Sequence, residues 1–118
     1  MVTKEELRGY REGKRELAEI HRRKAEAERE AQYTSSPGER QAALRVAKRY
    51  ERIIAERTRS AERIEAAIQA LPHPLHRSVL YYRFVKGWSR LKTAVAMERS
   101  ERSISYLTKD AIRELEKQ

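Results

Sequence analysis

The chain has 118 residues, with 27 Lys and Arg against 18 Asp and Glu, a formal net charge of +9 and no cysteine. Charged residues make up 38% and hydrophobic residues 39%, against about 25% and 45–50% in ordinary domains, which excludes a thick layered core and favours long helices that bury a narrow stripe. The missing cysteine excludes disulfides, thiolate zinc sites and thiol nucleophiles, while the basic excess favours a polyanionic partner, nucleic acid or anionic lipid.

No apolar run approaches the roughly 18 residues of a membrane span, and no apolar segment follows Met1, so a soluble protein with nothing directing export is expected. Turn-forming residues fall in three places: Thr34-Ser35-Ser36-Pro37-Gly38, Leu71-Pro72-His73-Pro74, and the isolated Gly87. These breaks divide the chain into two long segments and a short, aromatic-rich remainder. The expected organisation is an N-terminal hairpin over 1–71 and a C-terminal module over 72–118.

Residues 3–33 predict one helix. Thr3 followed by Glu6 makes a capping box, and Ala, Glu, Arg and Lys dominate. Its apolar seam is thin: Leu7, Tyr10, Leu17, Ile20, Ala27 and Ala31. Residues 39–71 predict a second helix, with Tyr50, Ile54, Ala61, Ile64, Ile68 and Leu71 in alternating three- and four-residue steps over about three heptads. At about 1.5 Å per residue each helix spans on the order of 45–50 Å. A five-residue connection makes the pair an antiparallel, coiled-coil-like hairpin. Seams this thin call for a further surface, either the C-terminal module or a second copy, and a homodimer through the long helices is expected.

Beyond Leu71 three short helices are readable. The first runs over about 74–86, with Val79, Leu80, Phe84 and Val85 as core candidates and Gly87 at its C-terminal end. The second runs over about 89–97, with Leu91, Ala94, Val95 and Met97 apolar, and Ala94 and Ala96 small enough for a crossing helix. The third starts at Ser100, where Ser100 or Ser103 serves as N-cap, and buries Ile104, Leu107, Ala111, Ile112 and Leu115. A short helix, the tight turn Met97-Glu98-Arg99 and a longer helix make a helix-turn-helix layout. The fold class expected is therefore all-α.

In that layout the third helix lies in a major groove and presents polar side chains from its N-terminal half. Arg99, Ser100, Glu101, Arg102, Ser103, Ser105, Tyr106 and Lys109 are the candidate DNA-binding residues, with Arg77, Arg90 and Lys92 as candidates for positioning on phosphates. Glu101 suits a cytosine amine or the helix N-terminus. Ten basic against five acidic residues from 72 onward, a balance of +5, place the greatest basic excess in this part; residues 1–33 carry +1 and the middle segment +3. His73 and His76 lie three apart with Pro74 between them and no third ligand, so no metal site is expected. No Ser-His-Asp set, paired carboxylates or Gly-rich phosphate loop assembles, and neither an enzyme nor a cofactor is expected. The long helices lack the bulky apolar face of a membrane-surface helix. Trp88 reads as a core anchor, and of the adjacent Tyr81 and Tyr82 one is expected in the core.

The stretch from Leu71-Pro72 through Arg77, Tyr81-Tyr82-Arg83-Phe84 and Gly87 resembles the opening of sigma factor region 4, a Leu-Pro followed by Arg and an aromatic-rich segment. Ser100 with Ile104 resembles that family's recognition-helix opening, and Ala111 to Leu115 its closing "AxxxL". A charged hairpin before such a module is similar to phage transcriptional regulators of the ArpU/RinA-like type. The family pattern departs at two positions: Thr93 stands where an aliphatic is usual, and Glu98 where the turn Gly is usual, leaving Leu91 and Val95 to take over the packing in a shifted register. The resemblance implies a phage-encoded, sequence-specific transcriptional regulator that binds double-stranded DNA in the bacterial cytoplasm, at the nucleoid, with host RNA polymerase as a further partner. Two alternatives stand beside it: a phage terminase small subunit-like DNA-binding protein, and a protein–protein adaptor docking on RNA polymerase or another phage protein.

Overall fold

The computed structural model describes all residues, Met1–Gln118. The protein is all-helical, with 84% of residues in helices and no strand. Five α-helices follow in order: α1 (Lys4–Tyr33), α2 (Pro37–Gln69), α3 (Pro74–Leu80), α4 (Arg90–Met97) and α5 (Glu101–Glu116). Past Leu80 the chain continues as a π-helical turn, Tyr81–Val85. No helix is long and apolar enough to cross a membrane.

The termini of the long helices are set by local chemistry. Thr3 caps α1 by accepting the Glu6 N–H at 3.1 Å, and the Glu6 carboxylate accepts the Thr3 N–H at 3.4 Å, the reciprocal pair of a capping box. At the other end α2 starts earlier than expected. Pro37 occupies its first turn, where a missing N–H costs nothing, and Ser36 accepts the Glu39 N–H at 3.3 Å. Only Thr34–Ser36 remain outside the helices, so the connection has three residues instead of five. Arg40 closes the turn by donating to the carbonyls of Ala31 (3.2 Å) and Thr34 (3.0 Å) at the end of α1.

The chain divides into two compact units, and the division does not fall at residue 71. One unit is Glu12–Ser60; the other joins Met1–Arg11 with Ala61–Gln118. In the first, α1 and α2 run antiparallel: Glu16 pairs with Arg57, each about twenty residues from the turn. The seam there is mostly alanine. Leu17, Ala27, Ala31, Ala43 and Ala47 are buried, whereas the expected Ile20, Tyr50 and Ile54 are only half-buried. Small side chains bring the two backbones close and leave bulkier groups at the seam's edge.

The second unit holds the main core. Val2, Leu7 and Tyr10 from the start of α1, Ile64 and Ile68 from the end of α2, and Leu71 cluster with Val79, Leu80, Ala94, Ile104, Ala111, Ile112 and Leu115. The helix ends that the sequence assigns to the hairpin thus complete the core of the C-terminal helices, the first of the two surfaces their thin seams required. Tyr10 is buried and donates its hydroxyl to the Glu65 carboxylate. Burial first, then the hydrogen bond to Glu65 and its charge, hold the phenol above its ordinary pKa of 10.0.

The sign of that shift gives a prediction. The contribution is fully present below about pH 10; above it the unfolded chain loses a proton that the folded chain keeps, and stability falls by up to about 1.4 kcal/mol per pH unit. In urea unfolding between about pH 9 and pH 11, Tyr10→Phe should lose less stability than the parent protein. Parallel curves for the two proteins would contradict this account of Tyr10.

Candidate nucleic-acid interface

The C-terminal helices are assembled around α5. Pro74 sits in the first turn of α3, and His73 caps that helix through Nδ1, which accepts the Leu75 N–H at 3.1 Å; its ring stacks on His76 with centroids 4.7 Å apart. The π-helical turn ends at Val85; Gly87 follows with a φ of +69°, which favours glycine, and the Trp88 N–H closes onto the Tyr82 carbonyl at 2.8 Å. The Arg11 side chain lies against Gly87 where a Cβ would stand. Val79 and Leu80 are buried as expected, with Phe84 and Val85 packed at the core's edge. Neither tyrosine of the adjacent pair enters the core: Tyr81 is exposed, and Tyr82 is half-buried and stacks on Trp88 at 4.8 Å.

Ser89 begins α4 by accepting the Lys92 N–H at 3.0 Å. The face that α4 buries differs from the expected one. Thr93 and Ala94 are buried, Met97 is half-buried, and Ala96 is exposed; Leu91 and Val95 stay 60% and 72% exposed. Thr93 therefore packs in place of the expected Leu91 and Val95. It does so by turning its hydroxyl back onto the Ser89 carbonyl at 2.8 Å, so that its methyl faces the core with no polar group left unpaired.

Glu98 completes the turn. Its φ of +55° and ψ of 47° are left-handed. The Glu98 N–H bonds to Val95 at 3.2 Å and the Arg99 N–H to Ala94 at 3.0 Å, the two bonds of a Schellman ending in which glycine is the usual residue. Ser100 then caps α5, its Oγ accepting the Ser103 N–H at 3.1 Å; of the two candidate caps Ser100 is the one used.

Ile104, Ala111, Ile112 and Leu115 bury one side of α5. At 100° per residue Arg102, Tyr106 and Lys109 point opposite to Ile104, and all three are exposed. The Arg102 guanidinium lies 5.8 Å from the Tyr106 ring centre. On one flank Arg90 reaches from α4 to Glu101 (3.5 Å) and to the Ser105 hydroxyl (3.3 Å). Arg90, Glu101, Arg102, Ser105, Tyr106 and Lys109 line one shallow recess. Six of the eleven candidate residues therefore converge.

The other five do not join that recess. Ser103 is half-buried on the opposite flank, while Arg99 is exposed next to the turn and Ser100 is engaged as the cap. Lys92 sits with its ammonium 4.4 Å from the Trp88 ring centre. Arg77 donates to the carbonyls of Leu71 (2.7 Å) and Pro72 (3.2 Å), so its guanidinium closes the end of α2 instead of facing outward. Glu101 in turn serves as the carboxylate that holds Arg90. The residue the sequence reading missed is Arg113, exposed and one turn beyond Lys109 on the same line, with Asp110 3.7 Å away. Its spacing from Arg102 and Tyr106 is the signal that finds it.

Compared with known protein families, with curated proteins and with solved structures, the chain matches none.

The left-handed Glu98 makes a direct prediction. A left-handed non-glycine residue costs about 1–2 kcal/mol, and a new glycine returns about 0.4–1 kcal/mol of that to the unfolded chain. Glu98→Gly should raise the unfolding free energy by about 0.5–1 kcal/mol, whereas Glu98→Val should lower it. Destabilisation by glycine, measured by urea unfolding, would show that the turn is not strained.

Proposed function

We propose that this protein is a sequence-specific DNA-binding transcriptional regulator that inserts the N-terminal half of α5 into the major groove. The observation that carries the reading is the composition of the outer face of α5. Arg102, Tyr106, Lys109 and Ser105 project from a helix whose opposite side is anchored in the core, behind a tight turn and a short supporting helix. Arg and Lys suit guanine edges and phosphates, and Ser and Tyr reach either. Arg90, held beside Glu101 and Ser105, is placed to meet the adjacent backbone.

The resemblance to sigma factor region 4 and to ArpU/RinA-like phage regulators supports the same reading and narrows it to a phage-encoded protein acting in the bacterial cytoplasm. Thr93 and Glu98 support it too, because Thr93 packs as a buried residue of the supporting helix and Glu98 takes the left-handed conformation that a tight turn between two helices needs. Self-association is part of the proposal: Leu44 and Val46, exposed on opposite flanks of α2, each offer an apolar contact to a second copy. A dimer would favour paired half-sites one or more helical turns apart.

One observation favours a second reading. Leu91 and Val95 lie one turn apart on the outside of α4 and remain largely exposed, a pair suited to contact with another protein such as RNA polymerase. In that case the protein is an adaptor, and its DNA affinity is absent or purely ionic.

Fluorescence-anisotropy titration of pooled duplex fragments from the source genome, at low and at physiological salt, separates the two. Binding that persists on a subset of fragments at physiological salt is expected. Uniform loss with salt on every fragment would overturn the regulator reading in favour of the adaptor. On a fragment so selected, Arg102→Ala should weaken binding about tenfold to a hundredfold, the worth of one good base contact. Random duplex should be affected less; equal loss on both would mean that Arg102 meets phosphate alone.

A further inference from the structure

We infer that the solvent face of α2 from Arg45 to Arg59 is a second, sequence-independent contact for the phosphate backbone of double-stranded DNA. Residues 40–60 contain seven basic and two acidic residues, the densest positive run outside the C-terminal helices. At 100° per residue Arg45, Lys48, Arg49, Arg52 and Arg59 fall within a single arc of about 100°. That arc is centred directly opposite Ala43, Ala47 and Ile54, which face the seam with α1. All five cations are exposed, and four of them, with Ile53 and Glu56, line one shallow surface recess.

What distinguishes this stripe is how little counter-charge it carries: Glu56 is the one carboxylate within the arc, against five cations. On α1 four of the nine cations are matched within the helix, Arg15 by Glu12, Arg22 and Arg23 by Glu19, and Lys24 by Glu28, and the helix holds eight acidic residues beside them. Elsewhere on α2, Arg57 is matched by Glu16 and Arg63 by Glu6. Arg45, Lys48, Arg49, Arg52 and Arg59 form no ion pair with any carboxylate. Like charges at three- and four-residue spacing destabilise a helix slightly, a cost that an external anion removes.

The geometry of the stripe selects the anion. Five cations extend over about 21 Å of helix, four of them within about 10 Å and Arg59 about 10 Å further on, a line of charge. Duplex DNA presents one phosphate charge per about 1.7 Å of its axis, also a line, and releases condensed counterions when cations replace them. A membrane surface is the poorer fit, because an interfacial helix needs a free apolar face and that of α2 is already packed on α1. The inference shares its partner class with the reading of α5 but stands on different residues.

The test is the salt dependence of binding to a random-sequence duplex of about three helical turns. It compares the full-length parent, a stripe variant (Arg45→Gln, Lys48→Gln, Arg49→Gln, Arg52→Gln) and an α5 variant (Arg102→Ala, Lys109→Ala). The stripe variant should bind more weakly and lower the slope of log K against log salt by about 3.6, about 0.9 for each of four lost phosphate contacts. A lysine variant (Arg45→Lys, Arg49→Lys, Arg52→Lys) should keep the parent slope, since neutralisation needs charge alone; it also controls for any loss of fold in the glutamine variant. An unchanged slope in the glutamine variant overturns the inference. If that variant instead loses co-sedimentation with phosphatidylglycerol vesicles, the stripe is reassigned to membranes. A slope lowered by the stripe variant but untouched by the α5 variant, with no fragment preferred, sinks the reading of α5 and leaves this inference standing.

Discussion

The burial of Ile104, Ala111 and Leu115 behind α5 is the constraint on which the rest of the structure depends. These side chains share one core with Val79 and Leu80 of α3 and with Leu7, Ile68 and Leu71 from the long helices. Each fully buried Leu or Ile contributes about 1.5–3 kcal/mol relative to exposure. In a chain this poor in apolar residues, that one cluster holds most of the large buried side chains. Once α5 is anchored on that side, the direction of Arg102, Tyr106 and Lys109 follows from helical geometry. The anchoring also explains why α1 begins and α2 ends in the same unit as α5: three short helices do not bring enough apolar surface to close a core among themselves.

The turn between α4 and α5 shows how a sequence can meet a backbone requirement with an unfavourable residue. A left-handed position after Met97 is what allows α5 to leave α4 within a few residues, and glycine meets that requirement without strain. Glu98 meets it with the same two backbone hydrogen bonds. Thr93 is the parallel case in packing, a polar residue made acceptable in a buried position by bonding to its own helix. In both places the geometry is conventional and the side chain is not.

Much of this was legible in the sequence, and the failures are physically informative. The capping box at Thr3, the start of α3 at Pro74, the span of α4 and the Ile104, Ala111, Ile112 and Leu115 face of α5 carry strong local signals, and each is where the chain chemistry puts it; α3 itself stops at Leu80, short of the expected 86, where the chain passes into the π-helical turn. Four other features were not legible. The alanine seam of Ala43 and Ala47 was hidden because alanine is as common on solvent faces as between close-packed helices. The exposure of Leu91 and Val95 was hidden because hydrophobicity ranks them above Thr93, and only the crossing of α5 decides which face is covered. The use of Arg77 on the Leu71 and Pro72 carbonyls was hidden because a guanidinium that closes a helix end and one that meets a phosphate look alike in sequence. The convergence of Arg90, Glu101 and Ser105 likewise needed the fold, since eleven or more residues separate the partners.

Backbone amide NMR tests the central claim, that the outer face of α5 meets DNA, most directly. A duplex fragment selected for binding is titrated into the full-length protein at physiological salt, and amide shifts are mapped along the chain. The account predicts the largest changes from Arg99 to Lys109, with Arg90 included and the buried Ala111, Ile112 and Leu115 little affected. Shifts confined to α4 around Leu91 and Val95, or an unperturbed α5 in a saturated complex, would contradict it.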